Sequence, residues 1–487
     1  EGAQGLYAKT ESFVTVRGEQ EAMLVTLVNR AAAPLTFTPV AAVPLYGRSA
    51  DNLRDHRHVT SLLHRIRVSS NGLIVKPSLS FDERGHRENE MLYFAAANGP
   101  DGALPIAIYP TAEMFLGEGG TFLNPEAVRS DKPGTPAGTL IEGREAMGAM
   151  AFDAVTLAPG ESFTAPEAVM VYTDKGLGEM SRIFHRTYMK HLIKSPWRDV
   201  ERPVLINSWE AAYFDFDDDK LVAFAHEAAK MGVDMLVMDD GWFGHRESDD
   251  SSLGDWYVNE KKLKGGLSSL IERVNAEGLK FGIWYEPEMI SPDSDLYRAH
   301  PDWCLHVPNR ENSPARLQYV LDMTRKDVRD NIFAQMYKVL SENKIDYVKW
   351  DFNRNLTEVG SALLPPERQK EVMHRFVLGT YDLMDRFVKA FPNILFENCS
   401  GGGGRFDAGM LYYSPQIWCS DNTDAIERLT IQFGTSMCYP ISSFGAHVAA
   451  RPRTSLKTRG NVAMCGTFGY ELDPRKLTDD EKAEVKQ

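Results

Sequence analysis

The sequence predicts a multidomain protein of β plus α/β class, an amino-terminal β-sandwich followed by a (β/α)8 TIM barrel. Three observations carry that expectation. Before residue 200 the chain is built from short alternating or β-branched runs separated by Gly, Pro and Asn turns. From Pro203 onward, strand-like and helical stretches alternate. The charged and aromatic residues of that second half gather where its strands should end, which is where the active sites of such barrels lie.

Taken in order, Phe13-Val14-Thr15-Val16, Met23-Leu24-Val25-Thr26-Leu27-Val28 and Leu35-Thr36-Phe37-Thr38 read as strands of an antiparallel sandwich covering residues 1–175. Residues 177–192 are helical in period and stop before Ser195-Pro196, so 176–200 reads as a helical linker. Strands are expected at 204–209, 235–239, 280–285, 318–322, 346–351, 393–398, 416–421 and 442–449. Helices are expected at 218–231, 267–276, 326–342, 366–390, 426–438 and 455–463. A barrel over 201–475 follows, of roughly the usual size for this fold. Residues 476–487 are expected to begin a truncated carboxy-terminal region.

With 487 residues, 43% hydrophobic and 25% charged, the chain reads as a soluble globular protein with material for more than one core. Its 54 basic and 68 acidic residues leave a net charge of −14 without a long basic run, which argues against nucleic acid or an anionic membrane as partner. The five cysteines, Cys304, Cys399, Cys419, Cys438 and Cys465, are scattered and odd in number. Neither a disulfide framework nor a zinc site is indicated, and a cytoplasmic location is the simplest expectation. No apolar run is long enough to span a bilayer and no signal-like start is seen, although the chain opens at Glu1 without methionine.

The chemistry centres on Tyr347-Val348-Lys349-Trp350-Asp351-Phe352-Asn353-Arg354. Strand alternation puts Lys349, Asp351 and Asn353 on one face and Trp350 and Phe352 on the other. Lys349, two residues before Asp351, is placed to hold that carboxylate ionised, as a nucleophile requires. The run Ile417-Trp418-Cys419-Ser420-Asp421-Asn422 likewise carries a strand into a carboxylate. Near the Asp351 anion its pKa is expected to rise, so that Asp421 donates to a leaving group and later acts as base. That division of labour is the one used by retaining glycosidases.

Around the expected rim lie Trp209, the Asp239-Asp240 pair with Gly241-Trp242, Trp284, Glu286, Glu288, Arg316, Lys349, Asp351, Asn353, Cys399, Asp421 and Asp424. Paired carboxylates accept from vicinal hydroxyls and indole faces cover pyranose C–H faces, so a neutral sugar suits the set. Asn398-Cys399-Ser400-Gly401-Gly402-Gly403-Gly404 lets backbone approach a ligand closely, and it lacks the Gly-Lys-Ser/Thr of a P-loop. Other roles compete at single positions. Asp351 with Lys349 also fits a structural ion pair, Asp239-Asp240 a capping turn, Glu286 and Glu288 rim salt bridges, and the tryptophans ordinary packing. Asp421 also fits a cap of the following helix, a role that Asp424 fits better, and Cys399 alone fits a small buried hydrophobe.

These residues resemble the bacterial α-galactosidases of glycoside hydrolase family 36, close to the enzymes acting on raffinose and melibiose. The resemblance rests on Asn207-Ser208-Trp209-Glu210-Ala211, Asp239-Asp240-Gly241-Trp242-Phe243, Trp284-Tyr285-Glu286-Pro287-Glu288-Met289 and Lys349-Trp350-Asp351-Phe352-Asn353-Arg354. It continues through Glu397-Asn398-Cys399-Ser400-Gly401-Gly402-Gly403 and Ser420-Asp421-Asn422-Thr423-Asp424, and through the 46–57 stretch from Tyr46 to Arg57 in the β region. It implies Asp351 as nucleophile, Asp421 as acid/base, and Trp209, Asp239, Asp240, Trp284, Arg316, Lys349, Asn353, Cys399 and Gly402 as contacts to the galactosyl unit. It implies an oligosaccharide substrate, no cofactor, no metal, and a homo-oligomer, a tetramer in the intact protein. Members carry a longer amino-terminal β-supersandwich and a further carboxy-terminal β-domain, so this chain is expected to be truncated at both ends.

The expectation is therefore retaining hydrolysis of terminal α-D-galactosyl residues through a covalent intermediate on Asp351. The nearest alternatives are an α-N-acetylgalactosaminidase or a transgalactosylase on the same scaffold. A different class is a metal-dependent barrel with Asp239, Glu286 and Asp351 as magnesium ligands, against which Lys349 argues. A third is a silent sugar-binding module, against which the two carboxylates argue.

Overall fold

The computed structural model describes residues 5–14, 20–45, 64–77, 79–82, 85–88, 92–96, 104–121, 124–129, 132–151, 155–164, 168–171, 173–313, 315–450 and 453–486. The 46–57 stretch of the resemblance lies outside the described residues. The chain divides into two compact units, Glu1–Met180 with Pro365–His374, and Ser181–Leu364 with Arg375–Gln487.

The first unit is antiparallel β throughout its described strands. Leu6–Val14, Gln20–Asn29 and Ser162–Thr164 pair in that order, and Ala168–Val171 joins Gln20–Asn29 as well. Ala107–Thr111, Ala146–Ala151 and Val40–Pro44 make a second sheet, and Leu140–Glu142, His64–Val68, Gly72–Pro77 and Tyr93–Ala96 a third. Alternation is visible in His64–Val68, whose His64, Ile66 and Val68 are buried while Arg65 and Arg67 are exposed. Leu45, Ile66, Leu73, Val75, Ala95 and Ala146 form one apolar cluster of this unit. Each such aliphatic residue larger than alanine contributes about 1.5–3 kcal/mol when fully buried.

The second unit is a closed parallel barrel of eight strands. In chain order they are β1 (Leu205–Asn207), β2 (Met235–Met238), β3 (Lys280–Tyr285), β4 (Tyr347–Trp350), β5 (Leu395–Asn398), β6 (Gln416–Trp418), β7 (Phe444–Ala449) and β8 (Thr467–Glu471). Each is followed by a helix, α1 (Asp218–Lys230), α2 (Gly266–Ala276), α3 (Lys326–Glu342), α4 (Val372–Ala390), α5 (Ala408–Tyr413), α6 (Ala425–Ser436), α7 (Leu456–Ala463) and α8 (Asp479–Lys486). Asp217, Asp407, Asp424 and Ser455 cap α1, α5, α6 and α7 with side-chain oxygens that accept first-turn N–H groups. Lys482 in α8 donates to Glu227 in α1 at 2.8 Å, so the eighth helix lies against the first.

Two strand assignments change. The 318–322 run supplies only Tyr319–Val320, which pairs antiparallel with Met289–Ile290 in a two-stranded sheet outside the barrel. Its apolar residues ahead of α3 mimic a βα unit, but its partner is a rim loop. The missing barrel strand is β8, which the sequence hides behind a mid-strand glycine. Gly469 is there because a Cβ would come within 2.7 Å of His447 Cδ2 and 2.9 Å of the Leu205 carbonyl oxygen. The glycine loop therefore follows the fifth barrel strand and Asp421 the sixth.

Leu205, Met235, Val237, Tyr347 and Leu395 pack together inside the barrel, and all but Val237 are the first residues of their strands. Polar side chains take over toward the other end. Among the described residues no helix is long and apolar enough to cross a membrane.

Candidate active site

Two-residue alternation builds the site from that apolar floor. On β4, Tyr347 lies in the floor, Lys349 above it, and Asp351 at the strand's end. On β5 the same ladder runs Leu395, Glu397, Cys399, and on β2 it runs Met235, Val237, Asp239. Parallel register sets Trp284 of β3 beside Lys349 and Lys349 beside Glu397.

Asp351 is 5% exposed and satisfied on both oxygens. Oδ2 accepts from the Trp284 indole at 3.1 Å and from the Asn353 amide at 2.7 Å, and Oδ1 accepts from the Phe352 N–H at 2.8 Å. Burial by itself would raise this carboxyl, but the Lys349 ammonium, the Cys399 thiol, the Asn353 amide and the Phe352 N–H together hold it below its ordinary value. Burial and the Asp351 charge keep the Cys399 thiol protonated, so it serves as a donor.

The expected Lys349–Asp351 contact is indirect. Lys349 Nζ donates to Asp239 Oδ2 at 3.0 Å, and its charge acts on Asp351 across space. Asp239 also accepts from Asn207 Nδ2 at 2.7 Å and from the Asp240 N–H at 2.9 Å. Asp240 is gripped by Arg246, whose Nε and Nη2 donate to its two oxygens at 2.7 Å each, and both residues are buried. Such a bidentate pair fixes the plane of the carboxylate.

Asp421, beyond β6, opens to solvent on one side. Its Oδ1 accepts from the Trp418 indole at 3.1 Å. Desolvation raises its pKa, the Asp351 and Glu471 charges push the same way, and Lys349 pulls only partly against them. The two aspartates thus depart in opposite directions from a common reference. Asp424 is the N-cap of α6, accepting from the Ile426 and Glu427 N–H groups at 3.0 and 3.3 Å.

Gly402 has a φ of +90°, and a Cβ there would lie 2.7 Å from the Asp421 nitrogen. The glycine loop is therefore packed on the backbone that carries Asp421. Trp209 opens a short helix directly after β1, with its N–H donated to Asn207 Oδ1 at 2.7 Å and its ring edge-on to Tyr213 and Phe214. Arg316 stands exposed on a left-handed turn, φ +53°, next to Leu317 at φ +58°.

Glu286 and Glu288 are not rim salt bridges, since both are at most 1% exposed. Glu286 accepts from Gln318 Nε2 at 2.8 Å and from the Asn353 N–H. Burial, then the Asp351 charge, pushes it up to about 7. Glu288 pairs with Arg405 at 2.8 Å and accepts from the Trp350 indole at 3.0 Å and Thr380 Oγ1 at 2.9 Å. Arg246 and Trp418 carry site geometry that sequence reasoning missed, although Trp418 stood in the run that leads to Asp421. Among the described residues no group of three or more His, Cys, Asp or Glu side chains is arranged to hold a metal. All five cysteines are free.

The melibiase family model matches residues 162–487, which contains the whole barrel. Over 351 residues the chain is 58% identical to the α-galactosidase AgaA of Geobacillus stearothermophilus, covering 71% of this chain and 48% of that one. It is 54% identical over 335 residues to the α-galactosidase Mel36A of Lactobacillus acidophilus, covering 68% and 46%. The chain thus spans about half the length of these curated relatives. A crystal structure of a variant of the Geobacillus enzyme with 1-deoxygalactonojirimycin superposes with a TM-score of 0.79 at 41% identity, covering 99% of this chain and 67% of that one. Another variant, in complex with raffinose, gives 0.75 at 40% identity, covering 100% and 69%. A barrel with carboxylates at the ends of β4 and β6, matched over its full length, leaves one assignment: the chain belongs to the melibiase family, glycoside hydrolase family 36.

Proposed function

We propose that this chain hydrolyses terminal α-D-galactosyl residues of oligosaccharides such as melibiose and raffinose, by double displacement with retention. The opposite displacement of two carboxyl groups, Asp351 downward and Asp421 upward, carries the reading. Asp351 attacks the anomeric carbon as Asp421 protonates the departing oxygen. Asp421, now a carboxylate, then takes a proton from the water that cleaves the galactosyl ester.

Trp209 and Trp284 would cover the sugar ring, and Asp239, Asp240, Lys349 and Asn353 would bind its hydroxyls. Cys399 and Gly402 would line the C2 side. Arg316 could reach a substrate only from the rim. The α-galactosidase names of the relatives, and the raffinose in the neighbour's complex, support this substrate class. The five free cysteines suit a cytoplasmic location. A homo-oligomer, the 1–175 sandwich and the 176–200 linker belong to the same proposal, while the barrel expected over 201–475 runs on to take in α8.

The test is release of nitrophenol from 4-nitrophenyl α-galactoside, followed by NMR of the first galactose formed. Retention gives the α-anomer first. A β-anomer would exclude an intermediate on Asp351. Parallel assay of the 2-acetamido substrate, with and without EDTA, separates the N-acetylgalactosaminidase and metal-dependent alternatives.

A further inference from the structure

The loop that presents Asp421 is held by a residue seven positions further along the chain. Arg428, one turn into α6, is buried at 3% exposure. Its Nη2 donates to the Ser420 carbonyl at 2.6 Å and its Nε to the Asn422 carbonyl at 2.7 Å, the two carbonyls that flank Asp421. Nη1 donates to the Gly445 carbonyl of β7 at 3.0 Å and to Cys419 Sγ at 3.1 Å. The guanidinium lies 4.5 Å from the centroid of the Trp418 ring, whose indole N–H is the group that donates to Asp421 Oδ1.

A single planar fork therefore fixes the backbone on both sides of Asp421 and seats the indole that orients its carboxyl. Burying a cation against neutral acceptors is costly compared with an apolar residue of the same volume. A helix side chain with no positioning duty would not need these four hydrogen bonds. Asp424 caps the same helix, and the Arg428 N–H bonds the Asp424 carbonyl at 2.9 Å, so the anchor is itself anchored.

We propose that Arg428, acting through the Ser420 and Asn422 carbonyls and through Trp418, is the positioning residue that sets the reach of Asp421 to the glycosidic oxygen. The inference rests on the reading of Asp421 as acid/base. A displaced acid matters most when the leaving group is poor, so the signature is selectivity between substrates rather than overall loss.

The experiment compares kcat/KM on 4-nitrophenyl α-galactoside and on melibiose for wild type, Arg428→Lys, Trp418→Phe and Asp421→Ala, with the melting temperature of each. Lysine keeps the charge but cannot span both carbonyls. Phenylalanine keeps a ring under the guanidinium but removes the indole donor. Folded Arg428→Lys should lose about ten- to hundredfold more on melibiose than on the aryl substrate. Trp418→Phe should lose in the same direction. If Asp421→Ala shows this selectivity while Arg428→Lys, still folded, loses both substrates alike or neither, the positioning role is overturned and the acid/base reading stands. If Asp421→Ala shows no selectivity, the acid/base reading itself fails and takes the inference with it. Should Arg428→Lys melt below the assay temperature, Trp418→Phe decides: selectivity supports the device and uniform loss overturns it.

Discussion

Lys349 Nζ donates a hydrogen bond to Asp239 Oδ2 at 3.0 Å, and its influence on Asp351 is exerted through its field alone. One ammonium thus serves two carboxylates, neutralising one and keeping the other ionised. Lys349→Met leaves Asp351 with burial, which raises its pKa, and only neutral donors against it. The acid limb of the kcat/KM profile should move to higher pH. An unmoved limb would confine Lys349 to a structural pair with Asp239. Breaking a buried pair costs about 3–5 kcal/mol, so the profile should be recorded well below a lowered melting temperature.

Asp351→Ala removes the atom proposed to bond the anomeric carbon. Turnover of nitrophenyl α-galactoside should fall by several orders of magnitude while the circular dichroism spectrum is kept. Near-normal turnover in the folded variant would end the nucleophile assignment.

Glu286 makes a pH-dependent contribution to stability. Its carboxyl is raised from an ordinary 4.5 to about 7 by burial and by the Asp351 charge. Because the native state holds the proton more tightly, stability is greatest below the unfolded pKa and is lost as pH rises through the folded one. Glu286→Gln keeps an acceptor for Gln318 and the Asn353 N–H but cannot ionise. The variant should gain melting temperature over wild type at about pH 8 and gain little at about pH 5. An equal difference at both pH values would show that Glu286 stays ionised or stays neutral throughout.

Much of this was legible because alternation on a strand is rigid. Reading Lys349 and Asp351 on one face of a strand leads directly to the β4 ladder that rises from Tyr347. Asp424 as a cap followed from its position ahead of a helix. Partners across strands were not legible: sequence adjacency paired Lys349 with Asp351, whereas its hydrogen bond goes to Asp239 two strands around the barrel. The rim signals also misled where a loop copied a strand, as at 318–322, and where a glycine demanded by His447 concealed one, as in β8. Arg428 gave no signal because its function lies in carbonyls, which every residue has.

The remaining question of role concerns Asp421 and Asp424, two carboxylates three positions apart with opposite electrostatics. Asp421 is raised, chiefly by desolvation and then by the Asp351 charge, and is held by a single indole donor. Asp424 is lowered despite desolvation, because the Glu427 and Ile426 N–H groups and Arg453 stabilise its anion. An acid must be protonated when the leaving group departs, and only the first environment favours that. Asp421→Ala should therefore retain far more activity on an activated aryl galactoside than on raffinose or melibiose. Added azide should restore turnover by forming α-galactosyl azide from the β-linked intermediate, since that nucleophile needs no general base. Asp424→Ala removes a cap worth about 0.5–2 kcal/mol and should lower the melting temperature without leaving-group dependence. If azide instead rescues Asp424→Ala and leaves Asp421→Ala unchanged, the two roles must be exchanged.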